Sequence, residues 1–199
     1  YSYRQPFLIN PILEEFTKRT GIKVNVVYAK RGMLEKIKAE GSNTPADAVL
    51  TVDIGRLHDM VEAGVLQPVK SVVLEGNIPP QYRHPEGYWY GLTTRARILF
   101  VSKDRGGVGE VTTYEELADP KMKGRVCMRS GKHVYNVSLI ASIVAAKGKE
   151  AAKNWLQGFR DNLARRPQGN DRAQVKAIFE GVCDVAVANT YYMGKMATN

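Results

Sequence analysis

Several absences narrow the functions open to this 199-residue sequence. No apolar run approaches the roughly 18 residues that a membrane-spanning helix needs, so we expect no membrane insertion. Phosphate-binding Gly-rich loops and a GxSxG elbow are also missing, and three histidines, His58, His84 and His133, are too scattered for an HExxH site. Since no motif supports catalysis, we predict that the protein is not an enzyme.

Cysteine is scarce. Cys127 and Cys183 stand alone, without the CxxC spacing of a structural zinc site. They are either two buried free thiols or one disulfide formed in an oxidising compartment. The first residues, Tyr1–Pro6, lack the apolar central region of a signal peptide, so the protein is either cytosolic or has lost its signal.

Positive charge is in excess, because 29 Lys and Arg against 20 Asp and Glu give a net charge of +9. The basic residues are spread along the chain and form no compact run interleaved with aromatic residues. We therefore expect no nucleic-acid binding. A positive field would instead help to capture an anionic ligand, or a metal carried by an anion.

The sequence contains a repeated alternation of helix and strand patterns with short loops. Helices are predicted to begin at Pro11 (capped by Asn10), Met33 and Leu57, and to span 134–146, 151–163 and 171–180. Strands are predicted over 22–28, 48–52, 125–128 and 183–188. This alternation predicts an α/β fold with a largely parallel sheet. A long extended stretch, Thr93–Val101, is expected to pass between two lobes, and we place the boundary there, dividing residues 1–95 from 96–199.

Tyrosines follow two of the predicted strands. Tyr191 and Tyr192 come after strand 183–188, and Tyr135 comes after strand 125–128. Ligand sites of open α/β sheets lie at the carboxyl ends of strands, so the three phenols share a pocket if these strands are neighbours. Most tyrosines are structural, but Fe³⁺ is acidic enough to displace phenol protons. Arg95 or Arg129 could then hold a small anion such as carbonate, the alternative for either being a surface or interlobe salt bridge.

Nine segments, in order along the chain, carry a resemblance to a known family. They are Tyr1–Pro6, Thr20–Asn25, Pro45–Asp47, Thr51–Ile54, Gly91–Arg97, Val126–Lys132, Tyr135–Leu139, Pro167–Arg172 and Asn189–Met196. Together they resemble the bacterial periplasmic ferric-ion-binding proteins, which are solute receptors of ABC-type iron importers. The similarity is to the branch whose metal is held by tyrosines of the second lobe.

The resemblance implies two α/β lobes of the type II periplasmic-binding-protein fold, joined by a hinge of crossing strands. It implies that Tyr135, Tyr191 and Tyr192 bind Fe³⁺, with Arg95 near a synergistic anion such as carbonate. The expected partner is an inner-membrane ABC permease, and the expected state is a periplasmic monomer whose signal peptide has been removed. Because the family continues beyond Asn199, we also expect a chain truncated at its C-terminus.

One departure from related branches affects the ligand set. Those branches place a histidine, and sometimes a tyrosine, on the metal where this chain has Gln5 and Pro6, which favours a site built from the second lobe alone. We count five residues as possible cleft residues: Tyr3, Arg4, Gln5, Asp53 and Asn189. The alternative function is a receptor of similar fold for an organic solute such as a polyamine or thiamine, recognised by Asp47, Asp53, Trp89 and the tyrosine pair.

Overall fold

The computed structural model describes residues 1–29, 31–105 and 110–192. The chain divides into two compact units, Tyr1–Leu92 and Thr93–Asn199. The division falls after Leu92, whereas the sequence placed it after Arg95, so Arg95 belongs to the second unit. Across the described part of the chain, no helix is both long and apolar enough to cross a membrane.

The first unit is mainly helical. Its helices are α1 (Pro6–Thr20), α2 (Met33–Glu40), α3 (Ile54–Glu62) and α4 (Val72–Asn77), with 3-10 turns at Gly41–Asn43 and Pro80–Tyr82. The prediction that the first helix opens at Pro11 is wrong. Pro6 occupies the first turn, where its missing N–H is harmless, and Pro11 lies inside the helix, which forgoes one backbone hydrogen bond.

The strands predicted over 22–28 and 48–52 do not form. Ser2 makes one parallel bridge to Tyr28 and another to Leu50, and the flanking described residues add no consecutive pairs. The Ser2 amide donates to the Val27 carbonyl at 2.9 Å, and the Leu50 amide donates to the Tyr1 carbonyl at 2.8 Å. The alternating pattern alone does not make a strand, because a strand also needs a paired neighbour over several residues.

The second unit holds the only multi-residue sheet within the described residues. Its strands are β1 (Arg97–Val101), β2 (Val126–Cys127) and β3 (Val185–Asn189); its helices are α5 (Val134–Lys147), α6 (Lys149–Asp161) and α7 (Asp171–Phe179); 3-10 turns lie at Glu115–Ala118 and Pro120–Met122. The three predicted helices are confirmed to within two residues at each end. The extended stretch begins its strand only at Arg97, where pairing with β3 starts.

The sheet is mixed, in the order β1-β3-β2, so the prediction of a largely parallel sheet is wrong. β2 and β3 are parallel, as expected for strands connected through helices. β1 runs antiparallel to β3, with Arg97 opposite Asn189 and Val101 opposite Val185. The central strand β3 is buried along its whole length, which explains its continuous apolar run.

Each unit has its own apolar core. In the first unit Met33, Ile37 and Met60 are buried together. In the second unit one face of the sheet packs against α5, α6 and the 3-10 turns, and the other face packs against α7. The principal buried side chains of the first face are Leu117, Met122, Val126, Leu139, Trp155, Phe159, Val185 and Val187; those of the second are Phe100, Cys127, Ala177, Ile178, Cys183 and Ala186.

Candidate metal site

The carboxyl ends of β2 and β3 lie side by side, because the two strands are parallel neighbours. β3 ends at Asn189, and Tyr191 and Tyr192 follow with helical backbone. After β2 the chain turns through Arg129 and Ser130 to α5, whose second residue is Tyr135. The topology therefore brings the tyrosine segments to one edge of the sheet, as the sequence argument required. The remainder of the last motif, Met193–Met196, lies outside the described residues.

The hydroxyl oxygens of Tyr135 and Tyr191 are 3.4 Å apart. Tyr191 also receives a hydrogen bond from the Asn189 side-chain amide, with 3.2 Å between Nδ2 and the hydroxyl oxygen. The rings of Tyr191 and Tyr192 are tilted against each other, with centroids 4.5 Å apart. Three phenols thus form one cluster, with Tyr191 in contact with both of the others.

Three arginines surround the Tyr135 ring. The guanidinium carbons of Arg95, Arg129 and Arg97 lie 4.6, 5.4 and 5.7 Å from its centroid. These distances are within the range of cation–π attraction. The site therefore combines phenol oxygens with a concentration of positive charge, which suits an ionised phenol or a bound anion.

Two of these arginines meet at a buried carboxylate. Arg129 Nη1 lies 3.0 Å from Asp171 Oδ1, and Arg97 Nη1 lies 3.0 Å from Asp171 Oδ2. The Asp171 side chain is completely buried, and its Oδ2 also accepts the backbone N–H of Asn189 at 3.0 Å. Arg129 thus forms a salt bridge, but this pair is buried within the second unit and is not the surface or interlobe pair that the sequence suggested.

The three phenols differ in acidity. Burial, with the hydrogen bond and the negative charge of Tyr191, raises the pKa of Tyr135 to about 12, against the opposing pull of Arg95 and Arg129. Burial and Tyr191 also raise the pKa of Tyr192. Burial alone would raise the pKa of Tyr191, but hydrogen bonds from its neighbours and the charge of Arg95 lower it overall. Tyr191 is accordingly the first of the three to ionise.

The other predicted residues have structural contacts. His133 Nδ1 accepts the Tyr135 N–H at 3.2 Å and so caps α5. In the first unit, the Tyr3 hydroxyl accepts the Met33 N–H at 3.0 Å, and Asp53 caps α3 by accepting the Gly55 N–H at 3.0 Å. The Arg4 N–H donates to Ser2 Oγ at 3.0 Å, and Gln5 precedes α1.

Cys127 and Cys183 form a disulfide in the structure, so the chain contains no free thiol. The bond joins the end of β2 to the turn that leads into β3 and is buried on the α7 side of the sheet. It closes a sequence separation of 56 residues, which would contribute about 4 kcal/mol by restricting the unfolded chain.

No functional role was predicted for Asp171 or Arg97, although both lie inside segments that carry the family resemblance. The signal for Arg97 was its position two residues after Arg95 in an extended stretch, which puts the two on one face. Asp171 carried no comparable signal, because an acidic residue in the first turn of a helix is ordinary.

Within residues 1–29, 31–105 and 110–192, no three His, Cys, Asp or Glu side chains are grouped so that they could hold a metal ion.

Comparison with known proteins identifies the family of the chain. The sequence profile of the bacterial extracellular solute-binding proteins matches residues 12–181. Iron uptake protein A1 of Synechocystis sp. is 50% identical over 197 residues, which cover 98% of this chain and 55% of that protein.

Several solved structures match the whole chain. The ferric iron-binding protein A of Mannheimia haemolytica, in an open conformation, is 52% identical with a TM-score of 0.92. The Trichodesmium protein IdiA (FutA), in complex with iron and citrate ligands, is 43% identical with a TM-score of 0.94. In each case the match covers 100% of this chain and 63% of the other. The expected α/β fold of the ferric-binding proteins is thereby confirmed, and the chain belongs to the bacterial extracellular solute-binding protein family.

Proposed function

We propose that the protein is a periplasmic receptor that captures Fe³⁺ through Tyr135, Tyr191 and Tyr192 and delivers it, as a monomer, to an ABC permease of the inner membrane. The observation that carries the proposal is the 3.4 Å separation of the Tyr135 and Tyr191 hydroxyl oxygens. Two oxygens in direct contact can bind one ion after small side-chain movements. Tyr192 packs on Tyr191 and supplies the third phenol.

The choice of metal follows from the ligands. Phenols ionise near pH 10 in water, so a metal must supply the energy that removes their protons at neutral pH. Zn²⁺ prefers Cys, His or carboxylate ligands, and Mg²⁺ prefers carboxylates and water. Three phenolates also balance the charge of Fe³⁺. The names of the relatives compared above support the same cargo.

A small anion such as carbonate would complete the coordination, held by an arginine fork. We assign it first to Arg95, whose guanidinium lies nearest the Tyr135 ring. Arg129 is a weaker candidate because its Nη1 is committed to Asp171. The proposed periplasmic location agrees with the disulfide, since disulfides persist in oxidising compartments.

The organic-solute alternative gains no support. Asp53 uses its carboxylate to cap α3, and the Trp89 ring packs at 6.0 Å from His84. Tyr3, Arg4, Gln5, Asp53 and Asn189 remain proposed cleft residues, of which Asn189 contacts the phenol cluster through Tyr191.

The test uses the colour of ferric phenolate. Ferric citrate and bicarbonate are added to iron-free protein, and the visible spectrum and bound iron are measured. We expect a charge-transfer band in the wild type and in Tyr82→Phe, whose phenol lies in the first unit. Tyr192→Phe should weaken or abolish the band. A wild type that stays colourless and retains no iron would refute the proposal.

A further inference from the structure

Asp171 lies near the phenol cluster, but no described contact joins its carboxylate to a phenol hydroxyl group. Its buried carboxylate accepts three hydrogen bonds: from Arg129 Nη1, Arg97 Nη1 and the Asn189 backbone N–H, each at 3.0 Å. A buried charge is tolerated only when it is paired and hydrogen-bonded, and Asp171 satisfies both conditions. Its place in the first turn of α7 adds the favourable field of a helix N-terminus.

Each donor to Asp171 also contacts a tyrosine. The Asn189 side-chain amide donates to the Tyr191 hydroxyl at 3.2 Å. The Arg97 and Arg129 guanidiniums lie 5.7 and 5.4 Å from the Tyr135 ring centroid. The carboxylate is therefore one contact away from two of the three proposed iron ligands.

Arg97 fixes which way the Asn189 amide points. Arg97 and Asn189 are cross-strand partners of β1 and β3, and Arg97 Nη1 donates to Asn189 Oδ1 at 2.8 Å. An arginine can only donate, so the amide oxygen must face Arg97, and the NH₂ group is left to face Tyr191. Because Asp171 holds Arg97 in place, it also determines that the NH₂ group of Asn189, and not its carbonyl oxygen, faces the Tyr191 hydroxyl.

Asp171 also balances charge. Arg95, Arg97 and Arg129 place three positive charges around Tyr135, where they would repel an incoming Fe³⁺. One carboxylate offsets one of these charges without competing for the metal, since its oxygens are occupied by donors.

We infer that Asp171 is a positioning residue of the iron site, whose buried carboxylate holds Arg97, Arg129 and Asn189 in register with Tyr135 and Tyr191. The inference rests on the proposed function and adds to it a residue that never touches the metal. Partners of this kind behind metal ligands typically change metal affinity by about 10- to 100-fold when they are replaced.

The chain supplies a matched control in Asp184. This carboxylate also joins two arginines, Arg105 Nε at 3.1 Å and Arg125 Nε at 2.6 Å. It immediately precedes β3, whereas Asn189 ends it, so the two sites are separated by the length of the strand, about 16 Å. Removing either carboxylate breaks a double ion pair, but only Asp171 is connected to phenols.

The experiment compares Asp171→Asn with Asp184→Asn. Thermal unfolding of the iron-free proteins measures the structural cost, while titration against citrate and the charge-transfer spectrum measure the site. We expect both variants to lose stability. Iron affinity should fall by about 10- to 100-fold, with a shifted band, in Asp171→Asn alone. Equal affinity and an unchanged band in Asp171→Asn would overturn the inference, as would an equal loss in Asp184→Asn.

Two further variants test the inference even if Asp171→Asn does not fold. Asp171→Glu preserves the charge but displaces the carboxylate, and we expect an affinity between those of wild type and Asp171→Asn. If neither substitution at Asp171 folds, Asn189→Ala removes the amide that links the network to Tyr191 and keeps both ion pairs. Wild-type affinity in that variant would contradict the inference. Failure of the wild type to bind iron is a different result, because it refutes the proposed function itself.

Discussion

At the scale of single residues, the phenol cluster is asymmetric. Tyr191 contacts both other tyrosines and Asn189, and its pKa is lowered, whereas the pKa values of Tyr135 and Tyr192 are raised. A hydroxyl that accepts donors from several sides is stabilised as the anion. In the proposed site we therefore expect Tyr191 to be the first ligand of an arriving ferric ion, whose charge would then make the neighbouring phenols easier to ionise.

This asymmetry predicts proton release. At pH 7 Tyr135 and Tyr192 are protonated, since the pKa of Tyr135 is about 12 and that of Tyr192 is raised from its ordinary value. The pKa of Tyr191 is lowered, so its phenol is the first to lose a proton. Binding Fe³⁺ to three phenolates should then release at least two protons, and affinity should rise with pH. The release can be measured by pH-stat titration with ferric nitrilotriacetate, adding back the protons that the displaced nitrilotriacetate and its iron-bound hydroxide take up.

The matched variant is Tyr192→Phe, which should release about one proton fewer. Proton release that is equal in the two proteins would show that Tyr192 does not ionise on binding. Affinity that falls as the pH rises from 6 to 8, against the same competitor, would contradict phenolate ligation altogether.

The tyrosines could be found from the sequence, as could Arg129 and Asn189 beside them, but the role of Asp171 could not. Tyr135, Tyr191 and Tyr192 stand at strand ends, a position that is visible in the apolar pattern. Asp171 acts through contacts with Arg97 and Arg129, which are 74 and 42 residues away in sequence. Partnerships over such separations depend on how α7 packs on the sheet, and no local pattern encodes that packing.

At the scale of elements, the parallel pair β2 and β3 positions the site. The disulfide joins the end of β2 to the turn before β3, and the phenols lie beyond the carboxyl ends of the same strands. The sequence predicted both strands because each is a continuous apolar run. It could not predict that β1 runs antiparallel, since the direction depends on how the connection between β1 and β2 crosses the sheet.

Close packing of α6 gives a prediction about stability. A Cβ atom at Gly158 would lie 2.8 Å from the Ala118 carbonyl oxygen and 3.0 Å from the Ala118 Cβ. Overpacking of this kind costs about 1–3 kcal/mol, and the gain in helix propensity returns about 1 kcal/mol. Gly158→Ala should therefore lower the free energy of unfolding by up to about 2 kcal/mol, measured in urea.

Gly76 in α4 provides the comparison. No described atom lies within 4 Å of a Cβ placed there, so Gly76→Ala should be neutral or stabilising by up to about 1 kcal/mol. If Gly158→Ala stabilised the protein as Gly76→Ala does, the contact between α6 and the Glu115–Ala118 turn would not be as close as described.

At the scale of the whole molecule, the sequence predicted the helices and strands of the second unit more completely than those of the first. The second unit forms its sheet and two packed faces within the described residues. In the first unit the extended segments meet only at Ser2, and apolar residues such as Ile12 and Ile22 are exposed by 63% and 59%. The chain spans 63% of the length of the two solved structures compared above.

The last prediction concerns which unit holds the metal. The phenols, the three arginines and Asp171 all belong to the second unit, Thr93–Asn199. In the first unit the Tyr3 hydroxyl accepts the Met33 N–H, and its ring packs 4.2 Å from the Arg56 guanidinium carbon, so Tyr3 has a structural role. Gln5 carries a neutral amide, a poor ligand for Fe³⁺.

We therefore expect Tyr3→Phe and Gln5→Ala to retain the position and intensity of the charge-transfer band and one bound iron per chain. Tyr135→Phe, examined in parallel, should lose most of the band, because it removes a phenol in contact with Tyr191. A band that is bleached or shifted in Tyr3→Phe would show that a phenol of the first unit reaches the iron, and the proposed three-tyrosine ligand set would then have to include both units.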